Sequence, residues 1–123
     1  MEYIVEYSSG RIIKSIDGDY IKDYMSGRVE YVLSGDYLKE YMTGRVVYVI
    51  DDRYIKDYMS GRIIYSIDGD YIKDYMTGAT ILRIDGNYIK DYMSGRILLR
   101  LDGSISKKKI VAVLISSGYL RKV

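Results

Sequence analysis

Apolar and polar residues are interleaved along this chain in short runs, each closed by a glycine, as in Arg62-Ile63-Ile64-Tyr65-Ser66-Ile67 and Tyr71-Ile72-Lys73-Asp74-Tyr75-Met76. Such runs, β-branched and aromatic and too short for helices, predict strands. Gly10, Gly27, Gly44, Gly61, Gly78 and Gly95 recur every seventeen residues, so the chain is an internal repeat. Residues 61–77 read GRIIYSIDGDYIKDYMT, residues 27–43 read GRVEYVLSGDYLKEYMT, and Tyr54-Ile55-Lys56-Asp57-Tyr58-Met59-Ser60-Gly61-Arg62 shows the same join. Each unit has one Ser-Gly or Thr-Gly turn signal and one of Asp-Gly type, whose residues tolerate tight hairpin geometry. Twelve such signals, from Ser9-Gly10 to Asp102-Gly103, predict twelve strands. Grouped around the Ser-Gly turns, they make six antiparallel hairpins.

An odd period would exchange the two faces of the sheet at every copy unless a turn or bulge absorbs one residue. A two-residue loop at Ser60-Gly61 and a three-residue loop at Asp68-Gly69-Asp70 satisfy that parity. They place Ile63, Tyr65, Ile67, Tyr71, Lys73 and Tyr75 on one face and Arg62, Ile64, Ser66, Ile72, Asp74 and Met76 on the other. Both faces are then half apolar, and a flat sheet of that kind must close or be covered. The same register sets Asp23, Asp57 and Asp91 diagonally opposite Arg28, Arg62 and Arg96; Ala79 leaves one hairpin without such a pair.

Residues 104–123 break the repeat. Ser106 and Gly118 stand where a helix would begin and end, with Ile110, Val113, Leu114 and Ser117 at helical spacing. Lys107, Lys108 and Lys109 sit awkwardly at the positive end of that helix, and Ile110, Val111, Val113 and Ile115 favour a strand. The lack of a turn signal over this stretch decides for a helix, expected to cover the apolar opening of the sheet.

The units Ser60-Gly61-Arg62-Ile63-Ile64-Tyr65-Ser66-Ile67-Asp68-Gly69 and their copies, over residues 3 to 103, resemble those of bacterial hairpin-repeat proteins described as β-flower domains. Tyr-Met stands here where that pattern often has a second Asp-Gly-type element. The resemblance implies short hairpins set as petals about a pseudo-rotation axis, and no particular activity.

Composition narrows the chemistry. Sixteen tyrosines accompany no Phe, Trp, His, Cys or Pro, which removes the imidazole proton shuttle, thiol nucleophiles, thiolate zinc sites and disulfides. The net charge of +2 divides into +5 over residues 104–123 and −3 over residues 1–103, where 14 basic groups meet 17 acidic ones. A solvated basic end accounts for the former, and the acid that follows each of Lys22, Lys39 and Lys56, with the small net charge, argues against nucleic acid stacked on the neighbouring tyrosines. Asp17-Gly18-Asp19 and Asp68-Gly69-Asp70 lack the spacing of calcium loops, because Ile21 and Ile72 fall where a third ligand belongs. Ser26, Thr43, Ser60, Thr77 and Ser94 have no histidine to activate them and read as turn residues. The chain shows no phosphate loop, no signal-peptide pattern and no membrane-spanning apolar run. A cytoplasmic location is the default expectation.

The expectation is therefore an all-β protein of six hairpins arranged about an axis or rolled into a meander, residues 1–103, with residues 104–123 as a capping segment of the same domain. A β-solenoid of seventeen residues per coil is the alternative. No catalytic, cofactor or metal site is expected. Tyr24, Tyr41, Tyr58, Tyr75 and Tyr92, with Tyr20, Tyr37, Tyr54, Tyr71 and Tyr88, are the candidate surface for an unknown protein or glycan. Cross-strand packing explains the same residues without a ligand, and equivalent tyrosines would lie about 9.5 Å apart. A self-assembling repeat, designed or recently expanded, is the second reading, since near-identical units with open edges favour homo-oligomers.

Overall fold

A computed structural model describes residues 1–120; Arg121 and Lys122, counted above in the basic tail, lie outside them. Twelve antiparallel strands form one closed barrel in sequence order, with β1 pairing with β12 to complete it. The strands are β1 (Glu2–Glu6), β2 (Ile12–Asp17), β3 (Tyr20–Asp23), β4 (Val29–Ser34), β5 (Tyr37–Glu40), β6 (Val46–Ile50), β7 (Tyr54–Asp57), β8 (Ile63–Asp68), β9 (Tyr71–Asp74), β10 (Thr80–Asp85), β11 (Tyr88–Asp91) and β12 (Ile97–Asp102). Helix α1 (Lys107–Ser116) follows. Hairpins about an axis are thus what the chain adopts, and antiparallel pairing throughout rules out the solenoid, whose coils would stack in parallel.

The turns differ from the expected assignment. Asp68 pairs with Tyr71, so the loop is the two-residue Gly69-Asp70, not the three residues Asp68–Asp70. Gly69, at φ +60°, takes the first central position, where a type II′ hairpin turn needs glycine. The Ser-Gly turn is the longer one. Tyr58, Met59, Ser60 and Gly61 all lie in the loop, closed by Gly61 N–H to the Asp57 carbonyl and Asp57 N–H to the Arg62 carbonyl, 2.9 Å each. Parity is restored by a bulge: Lys56 opposes Ile63 and Ile55 opposes Tyr65, which leaves Ile64 as the extra residue.

This register corrects the two faces. Ile67 pairs with Ile72 and Tyr65 with Asp74, facing inward, whereas Tyr71 and Lys73 lie on the outside opposite Asp68 and Ser66. Repeated six times, the inward pairs form one aliphatic ring: Ile16/Ile21, Leu33/Leu38, Ile50/Ile55, Ile67/Ile72, Ile84/Ile89 and Leu101/Ile4, all buried. The last pair bridges the seam between β12 and β1. Tyr3 there opposes Asp102 as Tyr20 opposes Asp17 in an Asp-Gly hairpin, so the sheet closes in the repeat's own register without a covalent turn. The open strand edges invoked for self-assembly therefore do not exist among the described residues.

One hairpin lacks glycine. Between β6 and β7 the chain reads Asp51-Asp52-Arg53, and the Asp51 carboxylate accepts from the Arg53 and Tyr54 N–H groups at 2.8 and 2.7 Å. A side chain supplies there the turn geometry that a left-handed glycine supplies elsewhere.

Helix α1 runs along the barrel axis and is not a lid. Every residue from Ile110 to Ile115 is buried, so the helix is covered on all sides, and it joins the inward residues of the strands in a single core. Its N-cap is Ser106, whose hydroxyl accepts from Lys109 N–H. Gly118, at φ +86°, follows its end, and Tyr119 and Leu120 N–H return to the Leu114 carbonyl. Lys107 donates to the Gly69 carbonyl at 2.6 Å and Lys108 pairs with Asp36, which places the helix start at the Asp-Gly end of the barrel. The aspartates of those turns offset the lysines that the helix dipole disfavours. Asp36, followed by the field of Asp52 and Asp51, raises the Lys108 pKa.

Because Leu114 is completely enclosed, Leu114→Ala should lower stability by about 2–5 kcal/mol, read as a lower urea midpoint with unchanged slope.

Candidate functional site

At the Ser-Gly end, the residue that closes each short strand is acidic, and a Ser or Thr three residues later holds it. Ser9 donates to Glu6, Ser26 to Asp23, Thr43 to Glu40, Ser60 to Asp57, Thr77 to Asp74 and Ser94 to Asp91, at 2.6–2.8 Å. The same hydroxyls accept from the backbone N–H two residues on, for example Arg62 N–H to Ser60 at 3.2 Å. The expected diagonal partnership with arginine is thereby corrected. Ser26 and Ser94, by hydroxyl and backbone N–H, hold the Asp23 and Asp91 carboxyls below the usual range, and Arg28 and Arg96 act only through their field. A hydroxyl three residues away reaches a carboxylate within its own turn, whereas the bulge beyond Arg62 displaces the diagonal. Asp57 is buried at this mouth, where its Ser60 bonds offset the desolvation that burial of a carboxylate incurs.

The Asp-Gly end is held differently. Lys22, Lys73 and Lys90 reach outward to Asp17, Asp68 and Asp85 at 3.2, 3.1 and 2.7 Å. Lys90, by hydrogen bond and charge, lowers the Asp85 pKa.

The predicted tyrosines form a belt around the outside. Tyr24, Tyr41, Tyr58, Tyr75 and Tyr92 open the long turns, and each sets its ring edge-to-face against a tyrosine two strands away: Tyr3, Tyr20, Tyr37, Tyr54 and Tyr71. Tyr7 and Tyr88 make the sixth pair across the seam. All six have centroids 5.9–6.0 Å apart and interplanar angles of 81–87°. Equivalent tyrosines therefore do not meet each other; each meets its complement in the next unit. Packing does not hide them, since the turn tyrosines remain 45–50% exposed, and Arg83 stacks 5.8 Å from the Tyr71 centroid.

Residues that the pattern of strands did not single out complete this end. Met25, Met42, Met59, Met76 and Met93 occupy the turn tips and are 73–87% exposed. Their constancy between Tyr and Ser/Thr-Gly is the signal the sequence carries, and a two-residue loop at Ser-Gly hides it by placing each methionine in a strand. Inside the mouth, Lys14 stands where other units have Tyr31, Tyr48, Tyr65, Leu82 and Leu99, and Glu30 stands at the bulge position of Ile13, Val47, Ile64, Ile81 and Leu98. The two form an ion pair with Lys14 almost fully enclosed. Their departure from the repeat marks them. A recess of about 420 Å³ opens beside this pair, lined by Asp23, Ser26, Arg28, Glu30, Tyr31, Glu40, Met42 and Ser116 among others. Among the described residues no group of three or more acidic side chains is placed to hold a metal ion, and no helix is long and apolar enough to cross a membrane.

Fold and site together define a hairpin-repeat barrel with an axial helix, belted by paired tyrosines and tipped by methionines at one end. Comparison with protein-family models, with curated proteins and with solved structures finds no match.

Two consequences follow for the interior. Removing Glu30 alone, as Glu30→Val, leaves Lys14 enclosed without its partner and should cost roughly 1–3 kcal/mol, less than the ~3–5 of a fully buried pair because Glu30 is partly exposed. Lys14→Leu combined with Glu30→Val should recover that loss, as a double-mutant cycle in urea will show. Burial, with the neighbouring Tyr31, Tyr65 and Asp57, pushes the Tyr48 phenol up to about 12. The folded state thus favours the protonated phenol; its contribution is intact below the ordinary value of 10.0 and declines as pH rises from there toward about 12. Tyr48→Phe should flatten the fall in stability over that window, measured by thermal unfolding at stepped pH.

Proposed function

We propose that the chain is a non-enzymatic interaction module that binds a protein partner through the tyrosine belt and methionine tips of its Ser-Gly end. The observation that carries this reading is a continuous exposed ring, Tyr7, Tyr24, Tyr41, Tyr58, Tyr75 and Tyr92, edged by five methionines at the turn tips. Tyrosine supplies broad, stiff contact area with a polar tip, and methionine supplies an apolar group that adapts to its partner's shape. The phenol groups of the belt make no hydrogen bond within the chain among the described residues and face outward for a partner's polar groups. A glycan would stack on the rings but gain little from the methionines, so a protein face suits the whole rim better. The β-flower resemblance suits such a module in architecture and adds no ligand.

The test combines Tyr58→Ala and Tyr75→Ala in one protein, and Met59→Ser and Met76→Ser in another. Both are expected to fold and to lose capture of partners that the unaltered chain retains, while a glycan array stays silent for all three. Equal capture by the altered and unaltered chains overturns the reading, and a glycan signal lost with the tyrosines replaces the protein partner with a sugar.

A further inference from the structure

We infer that the six tyrosine pairs are sites of oxidative cross-linking, at which one-electron oxidation by a peroxidase and hydrogen peroxide joins each pair as dityrosine. Such cross-linking is independent of any ligand of the belt. Three observations carry it. The first is contact: all six pairs hold their rings 5.9–6.0 Å apart, and one ring of each belongs to an exposed turn residue.

The second is the choice of residue. Several positions of the repeat exchange with similar residues, Ile21 for Leu38, Asp23 for Glu40 and Ser26 for Thr43, but the twelve belt positions are tyrosine without exception and the chain has no phenylalanine. Edge-to-face packing accepts either ring. Among the described residues the hydroxyl that separates them makes no hydrogen bond, and it is the group whose hydrogen atom an oxidant removes. The third is the topology. The chain has no cysteine and closes its barrel through a seam that no covalent turn crosses, yet the Tyr7–Tyr88 pair spans that seam, reaching from the end of β1 over β12 to β11.

In the reaction each phenol loses a hydrogen atom to the oxidant, leaving a phenoxyl radical with spin on the carbons beside the oxygen. Two such carbons form one C–C bond, and each ring regains aromaticity by passing its displaced ring hydrogen to oxygen. The pair is lighter by two hydrogen atoms, and one hydrogen peroxide has become two waters. Six bonds would encircle the barrel, and the one at the seam would close it covalently.

The experiment treats the dilute chain of 123 residues with a haem peroxidase and limiting hydrogen peroxide, in buffer and in concentrated urea. Expected in buffer is dityrosine fluorescence in a species still monomeric on a denaturing gel. Its digest should hold peptides joined at Tyr7–Tyr88, Tyr54–Tyr75 and their equivalents, each lighter by two hydrogens and so distinct from oxygen-gaining methionine sulfoxide. Tyr88→Phe, which keeps the packing, should lose the Tyr7 bond alone, and the oxidised unaltered chain should melt at a higher temperature than oxidised Tyr88→Phe. Absence of dityrosine, bonds only between chains, or the same set of bonds in urea overturns the inference.

Discussion

A barrel of twelve strands encloses more space than its own inward side chains fill, and the fold depends on how that space is occupied. The inward aliphatic ring lines the lumen, and the axial helix, apolar around its whole circumference from Ile110 to Ile115, supplies the remaining volume. Each part covers the other: the sheet without the helix would leave its apolar lining open to water, and the helix without the sheet would expose every face. The polar ends of the helix then set its direction. Lys107 and Lys108 meet the Asp-Gly turns, and the Schellman-like return of Tyr119 and Leu120 closes the Ser-Gly end.

Around that core the chain uses one device many times. A carboxylate that ends a short strand, a hydroxyl three residues later and a glycine at positive φ define the long turn, and the bulge beyond it restores parity. Four glycine turns and one aspartate turn link these units at the opposite end. Closure follows because six copies bring β12 back to β1 in the register that the repeat already uses. Near-perfect repetition makes the exceptions informative: Lys14 with Glu30 puts a charge pair into one sector, at positions where the other units carry aromatic or aliphatic side chains.

Tyrosine serves two environments in this architecture. Tyr48 and Tyr65 are wedged inside near the mouth, where burial of Tyr48 disfavours its phenolate, while the twelve belt tyrosines pack in pairs on the outside, ten of them exposed and Tyr3 and Tyr54 half-buried. The inside and outside sets differ in sequence only by their place relative to the glycine turns. A one-residue error at a turn moves a tyrosine from one set to the other, as the placement of Tyr65 with Tyr71 on one face illustrates.

Strand number, hairpin order, the helix and its Ser106 cap were all legible in the chain, because glycine spacing and strand composition are local signals that act through backbone geometry. So were the belt tyrosines as a set. Which face each side chain takes was not legible, since the parity of a seventeen-residue unit can be mended at either turn, and only the ladder pairs Lys56–Ile63 and Ile55–Tyr65 show that Ile64 mends it. Barrel closure, the axial position of the helix and the pairing of each tyrosine with its complement in the next unit are likewise tertiary decisions. They arise from contacts between residues far apart in sequence, Tyr7 with Tyr88 and Lys108 with Asp36 among them, which no local preference specifies.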